Sequence, residues 1–224
     1  YTAALIWYTC RSFIFTNMYG KSVKEMPPEG MEIISHISQA GSAFWVMLVW
    51  SALYFGVKYY LLLQEEKQRG LKTMAMAHEM RQDPSVMVLG EDVGINGGVF
   101  RATSGLIQEF GPERVLDTPL DETTIAGLTV GLAAQGMKPI AEAQFDGFMY
   151  PMVDHLICHA ARLRHRTRGR MSCPMVLRVP WGGGIRAPEH HSEANESIFT
   201  NVPGLRVVMP SSPQRAYGLL LAAI

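Results

Sequence analysis

The stretch "RVLDTPLDETTIAGLTVGLAAQGMKPIAEA", residues 114–143, decides the fold. "RVLDTP" reads as a short strand, and "KPIAEA" as another. Between them, Asp121 stands where a helix N-cap belongs, Glu122 falls in the first turn, and small apolar residues carry a helix from about Glu122 to Gln135. A strand, a helix and a strand in succession imply parallel pairing. The same texture extends outward. "HEMRQDP" ends an amphipathic helix and "SVMVLG" is a buried strand. Met152, Val153, Leu156, Ile157, Ala160 and Leu163 recur at helical spacing, so a helix is expected from about Phe148 to Arg166. "PMVLRVP" and "RVVMPS" add strands, and "SPQRAYGLLLAAI" opens a final helix. The expected fold is three-layer α/β with a mostly parallel sheet over residues 73–224.

Asp117, Asp121 and Glu122 crowd three carboxylates into six positions. Acids at a helix start are ordinary, since the helix dipole favours them there. The helix that follows has almost no polar face, so it is expected to be buried nearly all round. A glutamate opening such a helix lies close to the interior, where desolvation raises a carboxyl pKa and suits it to share a proton with a ring nitrogen. Capping and ligand contact both remain open for Glu122 at this level, and Asp117 has no assigned role.

The totals exclude some functions. The 224 residues carry 20 Lys plus Arg against 20 Asp plus Glu, so no global field draws the chain to nucleic acid. The basic run "RLRHRTRG" from Arg162 lacks interleaved aromatics and reads as a solvated helix end. Cys10, Cys158 and Cys173 form neither a CxxC pair nor a zinc spacing, which fits a reducing, cytoplasmic setting for the soluble part. "GEDVGINGGVF" and "WGGGIRAPEHHSEANE" are Gly-rich loops that match no phosphate-binding fingerprint. His190 and His191 in the second are adjacent on an extended loop, which argues against a shared metal.

Residues 42–63, "SAFWVMLVWSALYFGVKYYLLL", form an apolar run interrupted by Lys58 and long enough to cross a bilayer. Trp45, Trp50, Tyr54, Tyr59 and Tyr60 suit the interfaces, and the basic residues after it suit the cytoplasmic side. A buried soluble helix is the competing reading. The opening "YTAALIWYTCRSFIF" is expected to be the tail of an earlier span. Residues 1–70 are thus read as a membrane segment. "WSALYFGVKYYLLLQEEKQR" resembles the last membrane helix and linker of sensor histidine kinases. The phosphoacceptor motif and kinase ATP-binding segment of that family do not follow, so no kinase activity is carried over.

"VMVLGEDVGINGGVFRAT", "FGPERVLDTPLDETTIAG", "EAQFDGFMYPMVDHL", "RGRMSCPMVLRVPWGGGIRAPEHHSE" and "PGLRVVMPSSPQRAYGLLLAAI" resemble, in order and almost without a gap, the beta subunit of thiamine-diphosphate-dependent 2-oxo acid dehydrogenases of pyruvate or branched-chain type. The resemblance implies the transketolase-like pyrimidine-binding domain. It implies that Glu122, in the "DTPxxE" position, hydrogen-bonds the cofactor's aminopyrimidine ring. It implies that His191, not His190, lines the active-site channel, and that Phe148 contacts the same ring, although core packing would explain Phe148 equally. Magnesium and the diphosphate are expected on a partner alpha subunit in an alpha2beta2 heterotetramer. A lipoyl acyltransferase core would accept the acyl group, and the substrate would be a small 2-oxo acid. The resemblance also implies a C-terminal domain beyond these residues and no membrane helix before them. Two resemblances meet near "RGLKTMAM" without a linker, which is expected of a fusion or assembly chimera. Sequencing across codon 70 tests that, and a continuous product from independent samples contradicts an artefact. A membrane-tethered, non-catalytic sensor module or a non-functional fragment is the competing functional reading.

Overall fold

The computed structural model describes the backbone of residues 28–224, and the expected earlier span in residues 1–15 lies outside the described residues. The chain divides into two compact units, Tyr1–Leu61 and Leu62–Ile224. Helix α1, Pro28–Gln82, contributes to both. In the first unit its apolar residues from Phe44 to Leu61 are exposed throughout, Trp50 at 69%. By length and composition this is a helix able to cross a membrane.

The second unit holds a four-stranded parallel sheet of β1 (Val86–Gly90), β2 (Val115–Asp117), β3 (Lys138–Glu142) and β4 (Val176–Arg178), in the order β2-β1-β3-β4. Register pairs Val88 with Val115, Leu89 with Ala141, and Glu142 with Arg178. Side chains alternate across the pleat, and this period of two builds two cores from one sheet. Val86, Val88, Val115, Ile140 and Val176 face one side, against Met76, Ala77 and Met80 of α1, Leu106 of α2 (Leu106–Phe110) and Leu220 of the last helix, Pro213–Ala223. Leu89, Leu116, Ala141 and Leu177 face the other, against Ile125 and Ala126 of α3 (Glu122–Ala134) and Met149, Met152 and Leu156. The three layers expected from the sequence are present.

Three expectations need correction. The segment from Phe148 to Arg166 is not one α-helix. It is a 3-10 helix Asp146–Met152, a π-turn His155–His159, a 3-10 turn Ala160–Arg162 and α4, Leu163–Arg166. Pro151 lacks an N–H for a regular i→i−4 ladder, and the extra residue of the π-turn shifts the phase of the apolar stripe. "RVVMPS" joins no strand among the described residues. Leu205 and Val207 instead pack by their side chains on the second core, so the apolar pattern is used without ladder hydrogen bonds. Finally, α3 is buried on one side only. Ile125, Ala126, Thr129 and Ala133 face the sheet, while Leu128 is 38% exposed, because one sheet face covers one stripe of a helix.

Candidate functional site

In a parallel sheet the loops after the strands gather at one edge, the carboxyl edge, and ligands of such folds bind there. Here Glu91 follows β1, Asp117 ends β2, Gln144 follows β3, and Pro180 and Trp181 follow β4. The three crowded acids of the 117–122 stretch separate by task. Asp121 is the N-cap of α3, accepting from the backbone N–H of Thr123 at 3.0 Å and of Thr124 at 3.3 Å. Asp117 accepts from the Gly94 N–H at 2.6 Å and so ties the 91–98 loop to β2. A Cβ on Gly94 would collide with that carboxylate, so any other residue there has to displace Asp117. Glu122 is left over. It is half-buried, and among the described residues no hydrogen bond occupies its carboxylate.

Glu122 faces Glu91. Burial, then the charges of Asp92 and Glu122, push the Glu91 carboxyl above its ordinary range, and the Gln144 amide opposes this in part. Two half-buried carboxyl groups thus stand together at the edge where ligands bind. Glu91, with Gln144, is a site residue that the sequence reading passed over as part of a Gly-rich loop. Its signal was an acid directly after a buried strand, at the edge where ligands bind.

Aromatic rings gather at the same edge. Phe145 lies edge-on to Phe148 with centroids 5.4 Å apart, and to Phe100 at 5.6 Å. The His191 ring packs on both, 4.7 Å from Phe145 and 5.1 Å from Phe148. His191 is exposed, and its Nδ1 lies 2.7 Å from the Glu189 carbonyl, which fixes the proton on that nitrogen. His190 turns away, toward Tyr150 and, at 3.4 Å, the Glu193 carboxylate. The two histidine rings thus point to different neighbours.

One half-buried bond and two exposed ones present that loop. Asp146, buried at the 3-10 helix start, accepts from the Asn195 N–H at 2.6 Å. Tyr150 donates to Glu193 at 2.6 Å, and Trp181 donates to Glu196 at 2.6 Å. Glu189 and His190 hold left-handed backbone angles, φ 45° and 53°, strained for residues with side chains. The His190 carbonyl sits against Gly147 so closely that a Cβ there has no room. The donor set fits an aminopyrimidine ring: an uncommitted carboxylate, a second carboxyl biased toward its protonated form, and aromatic faces.

Comparison with known proteins shows the family. The family model described as "Transketolase, pyrimidine binding domain" matches residues 67–224. The pyruvate dehydrogenase E1 component subunit beta of Acholeplasma laidlawii is 57% identical over 150 residues, covering 67% of this chain and 46% of that protein. The 2-oxoisovalerate dehydrogenase subunit beta of Bacillus subtilis (strain 168) is 54% identical over 151 residues, with the same shares. The chain therefore spans about half the length of the curated relatives it matches. Among solved structures, a split-gene transketolase, an inactive beta4 tetramer, superposes with a TM-score of 0.54 at 16% identity, covering 70% of this chain and 47% of that one. That likeness concerns the fold. Over residues 67–224 this chain belongs to the transketolase pyrimidine-binding domain family.

Proposed function

We propose that the chain supplies the pyrimidine-side half of a thiamine diphosphate site in the beta subunit of a 2-oxo acid dehydrogenase. The reaction is oxidative decarboxylation of pyruvate or a branched-chain 2-oxo acid, with the acyl group passed to lipoamide. The observation that carries this reading is Glu122: the cap of its helix is already filled by Asp121, yet a half-buried carboxylate is kept uncommitted opposite a raised Glu91. The names of the two relatives at 57% and 54% identity support the substrate class. When bound, thiamine diphosphate supplies the electron sink for loss of carbon dioxide.

The chain's own residues do the rest. Glu122 accepts from, and holds a proton at, a pyrimidine ring nitrogen. Glu91, pushed above its ordinary range chiefly by burial, stands near that carboxylate. Phe148, backed by Phe145, gives the ring an apolar face and excludes water, and His191 stands at the rim on the strained 183–195 loop. An alpha subunit in an alpha2beta2 assembly holds magnesium and the diphosphate, and a lipoyl acyltransferase core accepts the product. Glu122→Gln, reconstituted with an alpha subunit, is expected to lose about 10²–10⁴-fold in turnover, the usual worth of a placed proton-transfer group. Unchanged turnover would falsify the assignment.

The apolar residues from Phe44 to Leu63 serve as a membrane anchor for a cytoplasmic catalytic unit. Their uniform exposure supports this, since about 20 helical residues span the roughly 30 Å of a bilayer core. The chain is expected to stay with membranes through an alkaline carbonate wash. Full release into the supernatant contradicts the anchor.

A further inference from the structure

The sequence "DHLICH", residues 154–159, was not used by the site above, yet it places chemistry-bearing groups on one short turn. In a regular α-helix, residues five apart point roughly 140° away from each other around the axis. Here the π-turn His155–His159 closes an i→i+5 bond from the Ala160 N–H to the His155 carbonyl, and widens the turn. Asp154 and His159 therefore meet: Oδ2 and Nε2 are 3.6 Å apart. The His155 and His159 rings lie side by side, centroids 5.7 Å apart and tilted by only 36°. The ligating atoms of Asp154, His155 and His159 all fall within 4.8 Å of one another.

We propose that Asp154, His155 and His159 form a divalent transition-metal site of zinc type, with three protein ligands and an open fourth position. Two imidazoles and one carboxylate are the donors that zinc and its neighbours prefer, and an open position beside three protein ligands is the pattern of reactive rather than structural sites. Zinc ligands at about 2.0–2.2 Å stand about 3.4 Å apart in a tetrahedron, so the Asp154–His159 pair is nearly set. The His155 ring lies against Gly127 of α3 and has to turn from there to complete the set. Asp154 is exposed, so the metal has a path in. One group opposes binding: Arg166 Nη1 lies 3.5 Å from His159 Nδ1 and has to swing aside. Its other nitrogen donates to the Cys158 carbonyl at 2.8 Å, which gives it a place to stay.

The test is titration of the full chain, in detergent micelles, with zinc chloride by calorimetry and with cobalt chloride by visible absorption. One metal per chain is expected, with the absorption of four-coordinate cobalt. His155→Gln and His159→Gln should each weaken binding on the order of 10²-fold, while His165→Gln, one turn beyond, should leave it unchanged. Circular dichroism of each variant shows whether the fold persists. Absence of stoichiometric binding by the folded chain overturns the proposal, as does binding that survives the His155→Gln/His159→Gln double variant.

Discussion

The two edges of the same sheet treat polar groups in opposite ways. At the amino edge no buried side-chain N or O atom of the described residues lacks a partner. Arg114, just before β2, donates to the carbonyls of Val86 at 2.6 Å, Met80 at 2.9 Å and Asp83 at 3.0 Å, and its guanidinium lies over the Phe110 ring. Asp83 is held down to about 2 by the Ser85 hydroxyl and N–H and by Lys138, whose Nζ is 3.2 Å away. At the carboxyl edge little is settled. Glu91 and Glu122 repel each other half-buried. Glu142, 2% exposed, pairs with Arg178, yet Glu142 Oε1, Arg178 Nε and Thr118 Oγ1 are the buried side-chain atoms without partners among the described residues. All three belong to residues that end or follow a strand. Unpaired buried polar groups cost stability, so the cost among the described residues falls on the carboxyl edge rather than the amino edge.

That contrast can be broken from either side. Arg114→Ala should cost the most stability, about 3 kcal/mol, because it strips charged bonds from three carbonyls at once. Urea unfolding of the full chain in detergent measures it, and a loss below about 1 kcal/mol would mean the amino edge does not carry the sheet. At the other edge, Lys72 is lowered from 10.5 to about 8, mainly by burial and next by the charge of Arg178, with Glu142 opposing. The unfolded chain therefore binds the extra proton between about pH 8 and 10.5, so this burden is full below pH 8 and lifts as pH rises. Lys72→Met should stabilise the fold near pH 7 by about 2 kcal/mol, discounted for residual exposure, and flatten the rise in stability between pH 8 and 10. Destabilisation by this variant would show that Lys72 is a needed partner of Glu142.

Much of this was legible in the residues. Strands β1, β2, β3 and β4, helix α3 and its Asp121 cap follow from local apolar runs and a capping acid, signals that survive without knowledge of neighbours. The π-turn was not legible, because periodicity over Phe148–Arg166 is nearly the same for a helix with one residue inserted. "RVVMPS" misled because an apolar extended stretch satisfies the core with or without a ladder. The exposed side of α3 could not be foreseen, since small apolar residues do not say which layers cover them. For the site, Glu122 and His191 came from motif context. The Glu91–Glu122 opposition needed the fold, because 31 positions separate them and only parallel strand order brings both to one edge.

The most direct measurement is a double-mutant cycle of turnover in the reconstituted complex, with Glu91→Gln and Glu122→Gln singly and together. If the two carboxylates serve one ring, the double variant loses little more than Glu122→Gln alone, far less than the product of the single losses. Losses that multiply would give the two carboxylates independent roles and contradict the shared site.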